Sequence, residues 1–264
     1  MQLALSTLGL PHTPLPRVAD LAARSGYHGV ELRTHPEEPV HPALDAAQRR
    51  AVARLFEAAG VEILTLAAYA RVADPADTTD LPELIHLASD LGAKYIRVFP
   101  GGAEPDTATD TGTGTSTADD TAVRRLAEAA PLAHRHGIRI LLETHDSHRT
   151  GRAAARVLDR VDHVGAGALW DVMHTWLGGE TPAESFTHLS PHLGYTQVKD
   201  IASAEDTTPL PLGAGVLPLP ACVAPLPPDG WLCWEYEKRW YPRAAPLPGL
   251  LQASHDHLSR LTGR

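Results

Sequence analysis

Four side chains that could act as oxygen ligands stand in the second half of the chain, each at the end of a short apolar run. They are Glu143, Asp171, Gln197 and Glu235. Three carboxylates brought to one place would repel one another strongly unless a cation lay between them. Carboxylate and amide oxygens are hard ligands that suit Mg²⁺, Mn²⁺ or Co²⁺, and no cysteine belongs to the set to favour a softer metal. The pattern predicts one divalent metal ion held by these four residues.

The elements that must position these residues alternate regularly along the 264-residue chain. Eight β-like runs are separated by stretches with helical periodicity, several of which end at a glycine such as Gly60, Gly92 or Gly137. The predicted strands are Leu3–Thr7, Gly29–Arg33, Glu62–Leu66, Tyr95–Phe99, Arg139–Glu143, Gly165–Asp171, Gly194–Lys199 and Trp231–Tyr236. This alternation implies parallel strands with helical crossovers. Eight repeats, with no G-x-G-x-x-G after the first strand, favour a single (β/α)₈ (TIM) barrel over residues 1–264 instead of an open doubly wound sheet.

The chemistry of such a barrel collects at the C-terminal ends of its strands. The four predicted ligands fall at the ends of strands five to eight, which places them at one mouth. His145 shares the strand parity of Glu143, and Lys199 shares that of Gln197. Because alternate residues of a strand face the same side, both should point into the barrel.

Lys199 allows two interpretations. Its ammonium group could hold a substrate oxygen or an anionic group, or it could form a buried ion pair with Glu237 or Glu31. No second basic cluster stands beside it, although three arginines could each reach the same face. These are Arg33, Arg97 and Arg149.

Several short motifs carry a resemblance to a known family. They are Gly26-Tyr27-His28-Gly29-Val30-Glu31-Leu32, Leu142-Glu143-Thr144-His145, Asp171-Val172-Met173-His174, Gln197-Val198-Lys199-Asp200, Leu212-Gly213-Ala214-Gly215 and Trp234-Glu235-Tyr236-Glu237. In this order the chain resembles the xylose isomerase-like barrel superfamily, in its sugar phosphate isomerase/epimerase branch. The resemblance implies that Glu143, Asp171 and Glu235 are metal ligands. The remaining ligand position usually holds histidine, where this chain has Gln197.

The resemblance also implies an activity. In isomerases and epimerases of the family, two metal-bound glutamates move a proton at the carbon beside a carbonyl group through a cis-enediolate, and Glu143 and Glu235 occupy those positions. His174 completes an Asp-x-x-His pattern that contacts a substrate hydroxyl, and His145 could line the pocket. The implied substrate is a small carbohydrate-like molecule. Gln197 makes zinc less suitable, because zinc prefers imidazole to a neutral amide.

Three alternatives use the same frame. A lyase of the dehydratase or deglycosylating type shares the proton abstraction and is favoured slightly by Gln197. An endonuclease of the superfamily needs histidines at the ends of the third and fourth strands, where this chain has none. A non-catalytic sugar-binding barrel would have no need of both Glu143 and Glu235.

Composition bears on partners and location. The formal net charge of −9 argues against a nucleic-acid partner, since that binding depends largely on lysine and arginine. No run approaches the roughly 20 apolar residues of a membrane span, and no signal peptide is predicted. The two cysteines match no redox or zinc spacing, as expected of a cytoplasmic protein. A homo-oligomer is compatible with the sequence, but no surface feature predicts one.

Two segments interrupt the alternation. Residues 103–121 contain only Ala, Glu, Pro, Asp, Thr, Gly and Ser, and such a stretch cannot bury enough apolar area to offset its ordering entropy. It is predicted to be a mobile loop after the fourth strand, either an active-site lid or a tolerated insertion. Residues 207–228 are rich in proline and leucine and replace much of the seventh helix.

Overall fold

Eight parallel strands close into a barrel in chain order in the computed structural model, which describes residues 1–102 and 117–263. Each strand pairs with its sequence neighbours, and the first pairs with the eighth. The strands are β1 Gln2–Ser6, β2 Gly29–Thr34, β3 Glu62–Arg71, β4 Tyr95–Phe99, β5 Arg139–Glu143, β6 Ala166–Asp171, β7 Leu193–Val198 and β8 Trp231–Trp234. The predicted (β/α)₈ barrel is confirmed, with all eight strands at the predicted places.

Helices surround the barrel. They are α1 Leu15–Arg24, α2 Ala46–Ala58, α3 Leu81–Leu91, α4 Thr117–Arg135, α5 Gly151–Val161, α6 Val172–Leu177, α7 Pro182–Leu189, α8 Leu219–Val223 and α9 Leu251–Leu261. Helix α3 ends at Gly92 with φ of 70°, in the left-handed region that glycine adopts without strain, as the sequence predicts. Among the described residues, no helix combines the length and the apolar character that a membrane span requires.

The third strand is longer than the sequence predicts. Its apolar run continues past Leu66 through two alanines, and the strand ends only at Arg71. This extension keeps its pairing with β2 up to Ala68 and carries Tyr69 to the mouth of the barrel.

The prediction of a loop over residues 103–121 is wrong at the C-terminal end of that range, because helix α4 begins at Thr117. Asp119 lies in the first turn, where a carboxylate complements the helix dipole, and it is buried. Its Oδ2 lies 2.6 Å from Nε of Arg156, and its Oδ1 lies 3.1 Å from Nε2 of His148. These partners anchor a turn that has little apolar surface of its own. Residues 103–116 lie outside the described part of the chain.

The core has two layers. The larger one fills the space between the barrel and the helices. The smaller one plugs the barrel interior and consists of Ala4, Leu64, Leu141, Leu169, Tyr195, Trp231 and Cys233. On strands β5 to β8 the next inward position above this plug belongs to the four predicted ligands, since inward-facing residues recur every second position. The apolar plug is therefore the floor of the site.

The segment before β8 is held by one buried carboxylate. Oδ2 of Asp200 accepts hydrogen bonds from the backbone N–H groups of Gly213 and Gly215, both at 2.9 Å, and Oδ1 accepts from Leu217 at 3.2 Å. A Cβ at Gly215 would lie only 2.2 Å from Oδ1 of Asp200, so this close approach requires glycine. These hydrogen bonds to Asp200 order a segment whose helix, α8, has only five residues.

Candidate active site and metal centre

Three buried carboxylates meet at the mouth of the barrel. Glu143 ends β5, Asp171 ends β6, and Glu235 directly follows β8. One oxygen from each lies within 4.8 Å of the others, a spacing that could hold a metal ion. Oε2 of Glu143 and Oδ2 of Asp171 are buried, and each has a cationic group within ion-pair distance, Nε of Arg97 at 3.2 Å and Nζ of Lys199 at 2.7 Å. Three buried carboxylates gathered this closely fit a bound divalent cation.

Gln197 lies opposite Asp171 in the pairing of β6 with β7. Its Nε2 donates hydrogen bonds to Oε2 of Glu31 at 2.8 Å and to Oε1 of Glu235 at 3.3 Å. Its Oε1 is buried and accepts no hydrogen bond from the part of the chain that the structure describes. With the nitrogen engaged, the amide oxygen is available as a neutral, hard ligand. The structure thus brings all four predicted ligands together.

Glu31 is a site residue that the sequence analysis considered only as a partner of Lys199. It is fully buried on β2, and it accepts hydrogen bonds from Tyr195 and Gln197 instead of Lys199. Burial raises the pKa of Glu31, and the nearby charge of Glu235 raises it further. A carboxylate between the apolar residues Val30 and Leu32 of a predicted strand was the available signal, because such a residue needs a partner to be buried.

Lys199 places a buried positive charge among the carboxylates. Its Nζ lies 2.7 Å from Oδ2 of Asp171 and 2.7 Å from Oε1 of Glu237, and it also donates to Glu235. Burial alone would lower the pKa of Lys199, but these carboxylates raise it well above its ordinary value. The ion pair with Glu237 is therefore present, whereas the alternative pair with Glu31 does not form.

Arg97 adds a second buried cation, from β4. Its Nε lies 3.2 Å from Oε2 of Glu143, and its Cζ lies 3.9 Å from the centre of the Phe99 ring. Burial raises the pKa of Glu143 to about 8, although the charges of Arg97 and His145 act to lower it. Arg97 was one of three arginines expected to reach this face, and the pairing of β4 with β5 brings it against Glu143.

His145 and His174 lie side by side at the rim, with ring centres 4.1 Å apart. Nε2 of His174 is 3.9 Å from Oδ2 of Asp171, and Nδ1 of His145 is 2.7 Å from Oδ1 of Asp146. Burial lowers the pKa of His174 well below its ordinary value, whereas the hydrogen bond to Asp146 outweighs burial and raises the pKa of His145. Both predicted substrate-binding histidines therefore border the carboxylate cluster, and their pKa values are shifted in opposite directions.

The two histidines continue an arc of rings along the mouth from β2 to β6. Successive ring centres are 5.2, 5.6, 4.6 and 4.1 Å apart. The arc consists of His35, Tyr69, Phe99, His145 and His174. It forms one wall beside the carboxylates and suits a small molecule with an apolar face.

A profile of the xylose isomerase-like TIM barrel family matches residues 19–261. The chain belongs to this family. Solved structures with the same fold include the IolI protein with a bound zinc atom, with a TM-score of 0.80, 17% identity and coverage of 100% of this chain and 98% of that one. A D-psicose 3-epimerase from Clostridium cellulolyticum H10, solved with D-tagatose, has a TM-score of 0.79 and 14% identity over 99% of both chains. At these identities the likeness shows the fold alone.

One sequence match is to an enzyme with a different activity from that of the epimerases. A 3-dehydroshikimate dehydratase from Bacillus anthracis is 32% identical over 85 residues, which span 31% of this chain and 30% of the relative. A crystal structure of the probable 3-DHS dehydratase AsbF from the same organism has a TM-score of 0.76 and 21% identity over 98% of this chain and 99% of that one. These relatives of the chain are therefore enzymes, and they include both epimerases and a dehydratase.

Proposed function

We propose that this chain is a divalent-metal-dependent enzyme that removes a proton from the carbon beside a carbonyl group of a small polyhydroxy substrate. The proposal rests on the buried cluster of Glu143, Asp171 and Glu235, completed by the free amide oxygen of Gln197. These four residues would hold one Mn²⁺, Mg²⁺ or Co²⁺ ion. When bound, such an ion polarises a carbonyl group and stabilises the negative charge that develops on its oxygen.

The two glutamates differ in how freely they can move a proton. Oε2 of Glu235 accepts from Lys199, and its Oε1 accepts from Gln197. Glu143 has an oxygen, Oε2, that accepts no hydrogen bond from any described residue. Since a base must offer a free lone pair to the proton it takes, Glu143 is the base of the proposed reaction.

This asymmetry favours elimination of water over epimerisation. Glu143 takes the proton from the carbon beside the carbonyl, the C–O bond at the next carbon breaks, and a C=C bond forms. Glu143 then returns the proton to the departing hydroxyl oxygen, which leaves as water. One acid–base group suffices for this sequence of steps. The match with the 3-dehydroshikimate dehydratase supports a dehydratase.

An isomerase or epimerase is the second candidate. Epimerisation needs a second acid–base group to return the proton to the other face of the same carbon. Glu235 lies in the same cluster as Glu143 and could do so once released by Lys199 and Gln197. The epimerases among the structural relatives favour this outcome.

Product analysis in D₂O separates the two. The Mn²⁺-loaded protein is incubated with a panel of polyhydroxy ketones and cyclic hydroxy-enones, and products are identified by mass spectrometry and NMR. A dehydratase gives a product lighter by one water, whereas an epimerase gives an isomer with deuterium at the carbon beside the carbonyl. An isomer free of solvent deuterium would contradict proton transfer altogether.

Substitution assigns the base. Glu143→Gln should lower turnover by about 10²–10⁴-fold, because an amide cannot accept the proton. In a dehydratase, Glu235→Gln should retain at least about tenfold more activity than Glu143→Gln, since Glu235 takes no proton. Equal losses would favour the two-base epimerase. Glu205→Gln, at an exposed position, serves as the control.

A further inference from the structure

Arg97 is a buried cation with unused hydrogen-bond donors. Only 3% of the residue is exposed, yet Nε and Nη1 donate to no acceptor in the ranges 1–102 and 117–263. The guanidinium group carries five N–H donors in a fixed planar fork and accepts nothing. Buried donors of this kind are normally satisfied by an acceptor. The two N–H groups of Arg97 are therefore suited to an acceptor supplied by a bound ligand.

Glu143 does not fill this role. Its Oε2 is 3.2 Å from Nε of Arg97, which is close enough for an ion pair. Neither atom makes a hydrogen bond, however, so the two groups are near each other without being aligned. The opposite charges attract, but the fork of Arg97 stays open to a ligand beside Glu143.

The surroundings of Arg97 restrict what that ligand can be. Cζ of Arg97 lies 3.9 Å from the centre of the Phe99 ring and 5.6 Å from that of Tyr69, so aromatic rings border the guanidinium group. The charges of Glu143, Glu31 and Glu235 all act on Arg97. A planar carboxylate matches the planar fork of Arg97, whereas a phosphate dianion would bring a second negative charge close to Glu143 and Glu31.

Arg33, the neighbouring arginine, does not offer a second positive charge to a bound anion. Nη1 of Arg33 donates a hydrogen bond to Glu38, and its Nε donates to the hydroxyl of Tyr69 at a distance of 2.5 Å. Its guanidinium lies between the rings of Tyr69 and Trp240, at 4.9 and 5.5 Å. Arg33 is thus already neutralised, and it braces the aromatic wall beside Arg97.

We propose that Arg97 binds a carboxylate group of the substrate, so that the substrate is a hydroxy-carbonyl carboxylic acid and not a neutral or phosphorylated sugar. This inference rests on the proposed function, because it places the carboxylate beside the proton that Glu143 removes. It assigns Arg97 as the residue that selects the substrate class.

The test is a comparison of binding between matched acids and esters. Shikimate and quinate, each with its methyl ester, are titrated into the Mn²⁺-loaded protein by calorimetry, with D-fructose and D-fructose 6-phosphate as neutral and phosphorylated probes. At least one acid should bind ten or more times more tightly than its ester and than either sugar, in line with a charge-assisted pair. The proposal is overturned if neither acid binds better than its ester, or if the phosphorylated sugar binds best.

Two variants assign the effect to Arg97. Arg97→Met should reduce the preference for acid over ester to about twofold or less, because the charge and the fork are both lost. Arg97→Lys keeps the charge and should retain only part of the preference. Arg24→Met, at an exposed surface arginine, is the control. Should Arg97→Met fail to fold, Arg97→Lys decides, and an unchanged preference in that variant would overturn the proposal.

The role of Arg97 and the proposed reaction can be refuted separately. Binding is read without turnover, so acid selectivity that depends on Arg97 stands even if no water is eliminated. Elimination from a neutral substrate would instead uphold the dehydratase and refute the role of Arg97.

Discussion

Gln197 donates a hydrogen bond from Nε2 to Oε2 of Glu31 over 2.8 Å, although 166 positions separate the two residues. Both are fully buried, so no solvent competes for the bond. Because a carboxylate only accepts, Glu31 determines which end of the amide faces it and leaves Oε1 of Gln197 for a cation. Glu31 therefore acts on the proposed metal through its neighbour, as outer partners of metal ligands commonly do.

Glu31→Gln should weaken Mn²⁺ binding by about 10–100-fold, as is typical when the partner of a metal ligand is lost. The new amide can donate as well as accept, so the orientation of Gln197 is no longer imposed. Calorimetric titration of the metal-free protein with Mn²⁺ gives the affinity. Tyr195→Phe is the matched comparison, since it removes a different donor to Glu31 and should have the smaller effect. A larger effect in Tyr195→Phe would contradict the role given to Glu31.

Asp171→Asn should reduce bound Mn²⁺ at least about tenfold, because a charged ligand is replaced by a neutral one. Oδ1 of Asp171 caps helix α6 by accepting from Met173 at 2.8 Å, and asparagine can keep that bond. The fold should therefore survive, as circular dichroism can establish. Elemental analysis after reloading and desalting measures the metal, with the exposed Asp206→Asn as the control. Equal metal content in Asp171→Asn and wild type would refute the site.

Metal binding should depend on pH through Glu143. Its pKa in the metal-free protein is about 8, against an ordinary value of 4.5, so Glu143 holds a proton at pH 7 that a metal ion must displace. Mn²⁺ affinity should rise as the pH rises towards 8, and binding at pH 7 should release protons. Titration in buffers of different ionisation enthalpy counts them. Glu143→Gln should release fewer, and an unchanged count would contradict the assignment.

The same shift predicts how pH affects the stability of the metal-free protein. A carboxyl group with a folded-state pKa above its unfolded value binds more protons when folded. Between pH 4.5 and about 8 the contribution of Glu143 to the free energy of unfolding should therefore fall as the pH rises. Urea unfolding at several pH values measures it, and Glu143→Gln should show a weaker fall.

Two adjacent aspartates in the first turn of α4 should differ sharply in their effect on stability. Asp119→Ala should cost about 2–4 kcal/mol, because it removes a buried carboxylate that pairs with both Arg156 and His148. Asp120→Ala should cost less than about 1 kcal/mol, since its pair with Arg160 is solvent-exposed. Urea unfolding of both variants provides the comparison. Similar losses would show that Asp119 does not anchor the start of the helix.

Much of the fold, and the meeting of the four proposed ligands at one mouth, could be predicted from the sequence because both depend on local periodicity. Short apolar runs that alternate with helical stripes leave a parallel barrel as the simplest arrangement. Strand parity then decides which residues face inward, and so it places Glu143, Asp171 and Gln197 at one mouth. The start of α4 at Thr117 escaped this reasoning, since it depends on the ion pairs of Asp119 and not on an apolar stripe.

The contacts across the mouth depend on tertiary structure alone. Closure of the barrel brings Glu31 of β2 against Gln197 of β7, and the register of β4 with β5 brings Arg97 against Glu143. Parity identifies the face on which a side chain lies, but it does not say which of several inward-facing charges will meet. That choice is set by the stagger of the closed strands and by the rotamers that packing allows. For this reason Lys199 could be predicted to enter the site, but its pairing with Glu237 and not Glu31 could not.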